Sequence, residues 1–211
     1  MTFPVEQDED PSETRFAARY PVADITPAEF ESFVADLLGC VSSSVENLVV
    51  TSHEVIDGVD GTFDFDATLR FRFGGMDFLI VVEAKRYTGP VKREKVQILR
   101  DKAISVGAQK AVLISTSYFQ SGAIRYAKTH GIALVFVTEG RFTFETRAAQ
   151  PSPPLTREQA LEMFEIPVFV GVHIGPGNTE GSTMLSVIGS DDPERVREII
   201  LPGLPGEPVS Q

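Results

Sequence analysis

The stretch from Phe63 to Lys85 limits what this chain can fold into more than any other. Phe63, Phe65, Ala67, Leu69, Phe71 and Phe73 alternate with Asp64, Asp66, Thr68, Arg70 and Arg72. Period two held over eleven residues predicts a strand with one buried face. Gly74-Gly75 is a two-residue hairpin signal, and Met76 to Lys85, dense in Leu79, Ile80, Val81 and Val82, is the return strand. With the two glycines as the turn, Phe73 faces Met76, Arg72 faces Asp77, Asp66 faces Glu83 and Asp64 faces Lys85. Directly opposed side chains have Cβ atoms about 4.5–5.5 Å apart, so two carboxylates are expected side by side at the open end of the hairpin.

The flanks read as α/β. Thr26 as N-cap, Pro27 at N1 and Glu29 three residues after the cap predict a helix start. Ile25 precedes it, an apolar stripe of Phe30, Phe33, Val34, Leu37 and Leu38 follows, and Gly39 is the expected stop. Leu48 to Val50 opens a first strand. After the hairpin come a helix over 92–106, a strand over 110–115, a helix over 119–128 and a strand over 132–137, with Gly107 and Gly131 at helix ends. Pro151 to Pro154 marks a linker or surface crossover. Beyond it Thr156 and Gln159 can cap a short helix, 167–174 and 184–188 suit strands, and Ser190 or Asp191 opens a last helix. The expected organisation is an acidic flexible lead-in (1–20), a main domain (21–145), a small C-terminal α/β appendage packed on or near the core (146–200) and a flexible tail (201–211).

The chain carries 19 basic and 30 acidic side chains, a net charge of −11. The charge is uneven: residues 1–66 carry 15 acids and 2 bases, 67–147 carry 6 and 14, and 148–211 carry 9 and 3. The middle is a basic island, and a local field of that kind suits an anionic partner. One cysteine, Cys40, excludes an intrachain disulfide framework and a Cys-based zinc cluster. No apolar run is long enough to span a bilayer and no signal-type segment opens the chain, so no membrane association and a reducing, cytoplasmic setting are expected.

Opposed like charges destabilise a sheet unless something compensates them. A divalent cation does so, and Mg²⁺ favours a few carboxylates with retained waters and substrate phosphate. Lys85, two residues after Glu83 on the same face, can orient a water or steady phosphate charge. The plainer alternative is a solvated strand end where Lys85 pairs with Asp64.

The order of Phe30-Glu31, then Phe63-Asp64-Phe65-Asp66, then Glu83-Ala84-Lys85-Arg86-Tyr87, then Ser115-Thr116-Ser117 with Phe119, Gly122 and Ala123, and Gly131-Ile132 with Leu134, resembles the PD-(D/E)xK nuclease superfamily, and within it the Mrr-type restriction endonuclease domain. The likeness covers about residues 25–140. It implies a restriction-endonuclease-like core, a mixed central sheet flanked by helices, that hydrolyses DNA phosphodiesters with Mg²⁺ or, as a substitute, Mn²⁺. Carried over by residue, Asp66 and Glu83 are the metal carboxylates, the Ala84 carbonyl oxygen is a further ligand, Lys85 is the motif lysine and Glu31 is the helical glutamate reaching the same site. Glu31 lies at the margin of its apolar stripe and can equally face water.

Lys85, Arg86, Lys92, Arg93, Lys95, Arg100, Lys102 and Lys110 crowd into 26 residues. Arg86 and Tyr87, and Lys92, Arg93 and Lys95 at a helix start, are candidate DNA contacts; an ordinary solvated helix face is the alternative. Thr116 and Ser117 can bind phosphate or cap the next helix. Asp64 and Gln97 are candidates for supporting the metal residues from behind. His53, His130 and His173 form no local metal signature. A double-strand cut needs two nicks, which is compatible with a homodimer, although no oligomerisation motif is visible. Two other readings stay open: a nucleic-acid-binding or protein-interaction module on the same fold with weak or lost catalysis, and an unrelated α/β enzyme whose hairpin imitates the motif.

Overall fold

A computed structural model of the chain describes residues 20–42, 47–145, 155–177, 179 and 182–201. The acidic lead-in up to residue 19, the Pro151–Pro154 stretch and the tail from 202 lie outside them. Helix α1 spans Pro27–Ser42, and its capping box forms: the Glu29 amide donates to Thr26 Oγ1 at 3.3 Å and the Thr26 amide to Glu29 Oε2 at 2.8 Å. The helix runs past Gly39, the expected stop. Val41 is fully buried and continues the Val34, Leu37, Leu38 stripe by one more turn, and that packing outweighs the weak helix propensity of one exposed glycine.

Seven strands follow: β1 (Val49–Asp57), β2 (Thr62–Phe73), β3 (Met76–Lys85), β4 (Lys110–Ser115), β5 (Ala133–Glu139), β6 (Phe169–Pro176) and β7 (Thr183–Ile188). They form one sheet in sequence order. β1, β2 and β3 are antiparallel, β3, β4 and β5 are parallel, and β6 and β7 return antiparallel, so the sheet is mixed. Gly74 and Gly75 both have positive φ, 58° and 83°. That geometry fits a turn whose twist matches the flanking strands, and it fixes the hairpin register as expected from Phe73–Met76 to Ala67–Val82.

Two crossovers join the parallel strands: α2 (Arg93–Ser105) between β3 and β4, and α3 (Ser121–His130) between β4 and β5. Right-handed crossovers that step the same way along a sheet lie on one face, and one apolar cluster shows it: Val96, Leu99 and Ala103 of α2 and Ala123 and Ala127 of α3 pack with Leu79, Val81, Leu113 and Leu134. The other face packs α1 and α6 (Pro193–Ile200) over Ile80, Val82, Val112, Ile114 and Val135. The result is an α/β sandwich of three layers.

Two short helices complete the described elements. α4 (Gly140–Glu145), which has no pattern in the sequence, follows β5, and α5 (Arg157–Phe164) opens on the expected Thr156–Gln159 capping box. α6 starts one residue later than expected, with Asp192 accepting from the Arg195 amide at 3.1 Å and Pro193 at N1. The C-terminal strands extend the main sheet at its β5 edge. A second tie is Glu139, buried at the end of β5, which accepts from Arg141 Nε at 2.7 Å and from Arg157 Nε and Nη2 at 3.0 and 2.9 Å.

Candidate active site

The site forms where the hairpin opens. The β2–β3 ladder stops at Ala67–Val82. On the other side of β2, the pairing with β1 passes from Ser52–Ala67 to Glu54–Phe65 and leaves out His53 and Asp66 between them. His53 has φ 52°, a left-handed conformation that costs a non-glycine residue about 1–3 kcal/mol. Across this step β2 changes face. Ala67, Leu69 and Phe71 pack in the α1 cluster, whereas Phe63 and Phe65 pack in the α2–α3 cluster. The unbroken alternation in the sequence therefore does not point all its apolar residues one way. Both halves are buried because helices cover both faces of the sheet.

Asp66 sits at the switch. Its Oδ2 accepts the Ala84 amide at 2.8 Å, standing in for a ladder bond. Lys85 Nζ lies 2.9 Å from Asp66 Oδ2 and 3.1 Å from Oδ1, and 3.2 Å from Glu83 Oε2. Glu83 is only 6% exposed, and its Oε1 accepts from Lys102 Nζ of α2 at 2.6 Å. A carboxylate that deep needs paired charge, and two ammoniums supply it. Burial pulls the Lys85 pKa down, but the hydrogen bond to Asp66 and the charges of Glu83 and Asp66 outweigh it and leave the group above its ordinary value. Lys85 is thus held as a cation.

These residues fit a divalent ion. Asp66 and Glu83 present oxygens to one shared ammonium, so their charge converges on a single cationic position. The N–H and C=O of a strand residue point to the same side, so the Ala84 carbonyl faces the Asp66 side of β3. Mg²⁺ is satisfied by one or two carboxylates with waters and phosphate. Among the described residues no three His, Cys, Asp or Glu side chains gather into a fuller cage.

A cleft of about 410 Å³ opens beside Asp66 on the α1 side, and Glu31, His53, Ala84 and Arg86 also line it. Glu31 is exposed on α1 and shares the cleft with Asp66. Arg86 is exposed and donates to the Ile25 carbonyl at 3.0 Å, which ties β3 to the start of α1. Lys92, Arg93 and Lys95 are exposed around the start of α2, and the Arg93 guanidinium lies 5.0 Å from the Tyr126 ring centre. Tyr87 is half-buried, and burial, then the Glu83 charge, raises its pKa.

One expected pairing needs correction. Lys85 pairs with Asp66 and Glu83 and not with Asp64, because β2 and β3 separate before a regular ladder would bring Asp64 opposite it; Asp64 is exposed opposite Val55. Thr116 and Ser117 are buried. The Thr116 hydroxyl accepts from the Tyr87 amide at 3.1 Å and donates to the Tyr87 carbonyl at 3.2 Å, and the Ser117 amide and carbonyl are held by Ser115 Oγ. Thr116 fastens the ends of β3 and β4 together, Ser117 is held by its own strand end, and the cap of α3 is Gln120. Gln97 is half-buried on α2, and it is Lys102 that the helix delivers to Glu83. Nothing in the sequence sets Lys102 apart from its basic neighbours except its place beside Leu99 and Ala103, on the inward margin of α2. His53 carried no signal at all.

No helix among the described residues is long and apolar enough to cross a membrane. No curated protein matches the chain. Among solved structures, a protein of unknown function, AF1548, aligns at 19% identity and a TM-score of 0.40, over 50% of this chain and 56% of its own. The DNA modification-dependent restriction endonuclease AspBHI aligns at 19% identity and a TM-score of 0.31, over 56% of this chain and 34% of its own. The chain thus spans about half of the first of these proteins and a third of the second. The Mrr_cat restriction endonuclease family matches residues 22–146, more than half of the chain and the whole stretch from α1 to the end of α4. On that match, the chain belongs to the Mrr-type restriction endonuclease family.

Proposed function

We propose that this protein is a divalent-metal-dependent endonuclease that hydrolyses DNA phosphodiester bonds, with a role in restriction or defence. The observation that carries the reading is the convergence of Asp66 and Glu83 on one cation, Lys85 Nζ, at 2.9 and 3.2 Å, beside an open cleft. Asp66, Glu83 and the Ala84 carbonyl would hold the ion, with Glu31 reaching in across the cleft. When bound, the ion supplies Lewis acidity to the scissile phosphate and acidifies water.

The protein's own groups do the rest. Lys102 keeps the Glu83 carboxylate oriented from behind. Lys85, already a cation, offers its N–H groups to the attacking water and the phosphate as charge builds on phosphorus. Arg86, Lys92, Arg93 and Lys95 neutralise neighbouring phosphates and set the backbone in place, a contact that gives affinity without sequence choice. Tyr87, two residues after Lys85, adds a DNA contact beside the motif on this reading.

The test is cleavage of supercoiled plasmid at low salt with Mg²⁺, Mn²⁺ or EDTA, with D66A and K85A beside the wild type and with modified and unmodified plasmid in parallel. Nicking or linearisation that needs the metal and is lost in both variants is the expected result. Titration calorimetry with Mg²⁺ or Mn²⁺ alone provides a second readout. Folded wild-type protein that neither cuts DNA nor binds metal through Asp66 and Glu83 would overturn the reading.

A further inference from the structure

A second cavity, of about 430 Å³, lies at the far end of the sheet, where β4 and β5 begin. Three cationic side chains line it from three elements: Lys110 at the start of β4, Lys128 near the end of α3 and Arg195 on α6. One carboxylate, Glu198, lines it too, which leaves an excess of two positive charges in a chain whose net charge is −11. His173 of β6 sits among them.

Among the described residues only one of these cations is met by a carboxylate. Lys128 Nζ donates to the Ser182 carbonyl and to Thr183 Oγ1, both at 2.7 Å and both uncharged. Arg195 is exposed and pairs with Glu198 at 4.0 Å. Lys110 makes no ion pair among the described residues, and burial holds its pKa below the ordinary value. Burial, then the charges of Lys110 and Arg195, push His173 down to about 4. Like charges lining one partly buried space repel, and a bound anion relieves that repulsion. The cavity also has an apolar wall, including Ile132, Ile174 and Met184. Its volume falls within the range of small-molecule sites, roughly 300–1,000 Å³, and exceeds what a bare anion fills.

We propose that this cavity binds a small phosphorylated compound, with its phosphate among Lys110, Lys128 and Arg195 and its organic moiety against Ile132, Ile174 and Met184. The site is separate from the Asp66–Glu83 cleft and does not depend on the nuclease reading. A dianion matches the excess of two charges, and the apolar wall calls for more than inorganic phosphate.

His173 is a built-in reporter, because its imidazole lines the cavity with Lys110 and Arg195 and its resonances respond to an anion bound there. The experiment follows the His173 imidazole by NMR in the full chain at constant ionic strength, with inorganic phosphate, adenosine 5′-monophosphate or adenosine as probe. Saturable shifts of the His173 resonances are expected with both phosphates at about pH 7.5, where they are dianions. The monophosphate should bind about tenfold more tightly than inorganic phosphate, and adenosine should not bind. R195Q, at an exposed position where folding is not at risk, and K110Q should each weaken binding about tenfold. No saturable shift at tens of millimolar phosphate or monophosphate overturns the proposal. So does equal binding by adenosine, or R195Q and K110Q proteins that are folded and bind like wild type. Binding of inorganic phosphate that the adenosine moiety does not improve overturns the assignment of the organic moiety.

Discussion

Two glutamates hold nearly the same post in this fold and are treated in opposite ways. Glu83 lies two residues before the end of β3 and Glu139 ends β5; both are buried, and each is met by two cations. Around Glu139 the cations are arginines. Arg157 grips both carboxylate oxygens and also reaches the Asp24 carbonyl, while Arg141 reaches Leu155. Planar forks of this kind fix geometry and saturate the acceptor, so the cluster is a closed clamp joining β5, α5 and the lead into α1. Around Glu83 the cations are lysines, point charges on flexible stems, and one is shared with a second carboxylate. That arrangement leaves charge that can be re-partnered. A buried acid at a strand end is thus a fastener when arginine forks close on it; where lysines and a neighbouring acid keep it open, it suits the metal-binding role proposed above.

The sharpest way to break this comparison is to neutralise each glutamate. E83Q and D66N should lower the initial rate of plasmid nicking by about 1,000-fold, while E139Q molecules that remain folded cut like wild type. Equal losses in all three would end the distinction. The next largest effect is on stability. E139Q takes the charge from two arginine forks and should cost about 3 kcal/mol in urea unfolding, whereas E83Q should cost less, about 1 kcal/mol, because Lys85 keeps its pair with Asp66.

The clamp also has a pH signature. The hydrogen bond from Arg157, then that from Arg141, hold the Glu139 pKa below its ordinary value of 4.5. A depressed carboxylate contributes its stability fully above that ordinary value and loses it as pH falls through the lowered folded-state value. Wild type should therefore lose stability in that acid window more steeply than E139Q, as read by denaturant midpoints across the range. A smaller effect is expected at Lys102. K102A should slow cleavage about tenfold with metal affinity weakened in calorimetry, the pattern of a residue that orients a ligand. Smallest of all, R157K should cost about 1 kcal/mol by replacing a fork with a point charge, and it should leave cleavage untouched.

Much of this was readable in the sequence, for physical reasons that also explain the gaps. The Gly-Gly turn and the alternating strand set the hairpin register, and the capping boxes at Thr26 and Thr156 set two helix starts. Alternation reports that one side of a strand is buried but not which layer buries it. In a sheet covered on both faces it continues unbroken through a change of face, so the step at Asp66 left no trace. The step rests on a left-handed histidine, and no composition rule marks His53 for that role. Thr116 and Ser117 read as phosphate ligands or helix caps alike, because a sequence does not reveal whether a hydroxyl ends a strand in the open or, as at Thr116, ties two strands together. Lys102 was hidden by company, as one base among eight, and only packing picks out the one that turns inward.

The hairpin has a practical consequence as well. Its tip at Gly74-Gly75 lies eight residues along β2 from Asp66, about 26 Å at the rise of an extended strand. Seven paired positions separate the two and hold the carboxylates in place whatever the tip carries. A foreign segment spliced between the glycines would therefore ride on a stiff arm well clear of the chemistry, which makes this turn the natural graft point for a DNA-reading or reporter module.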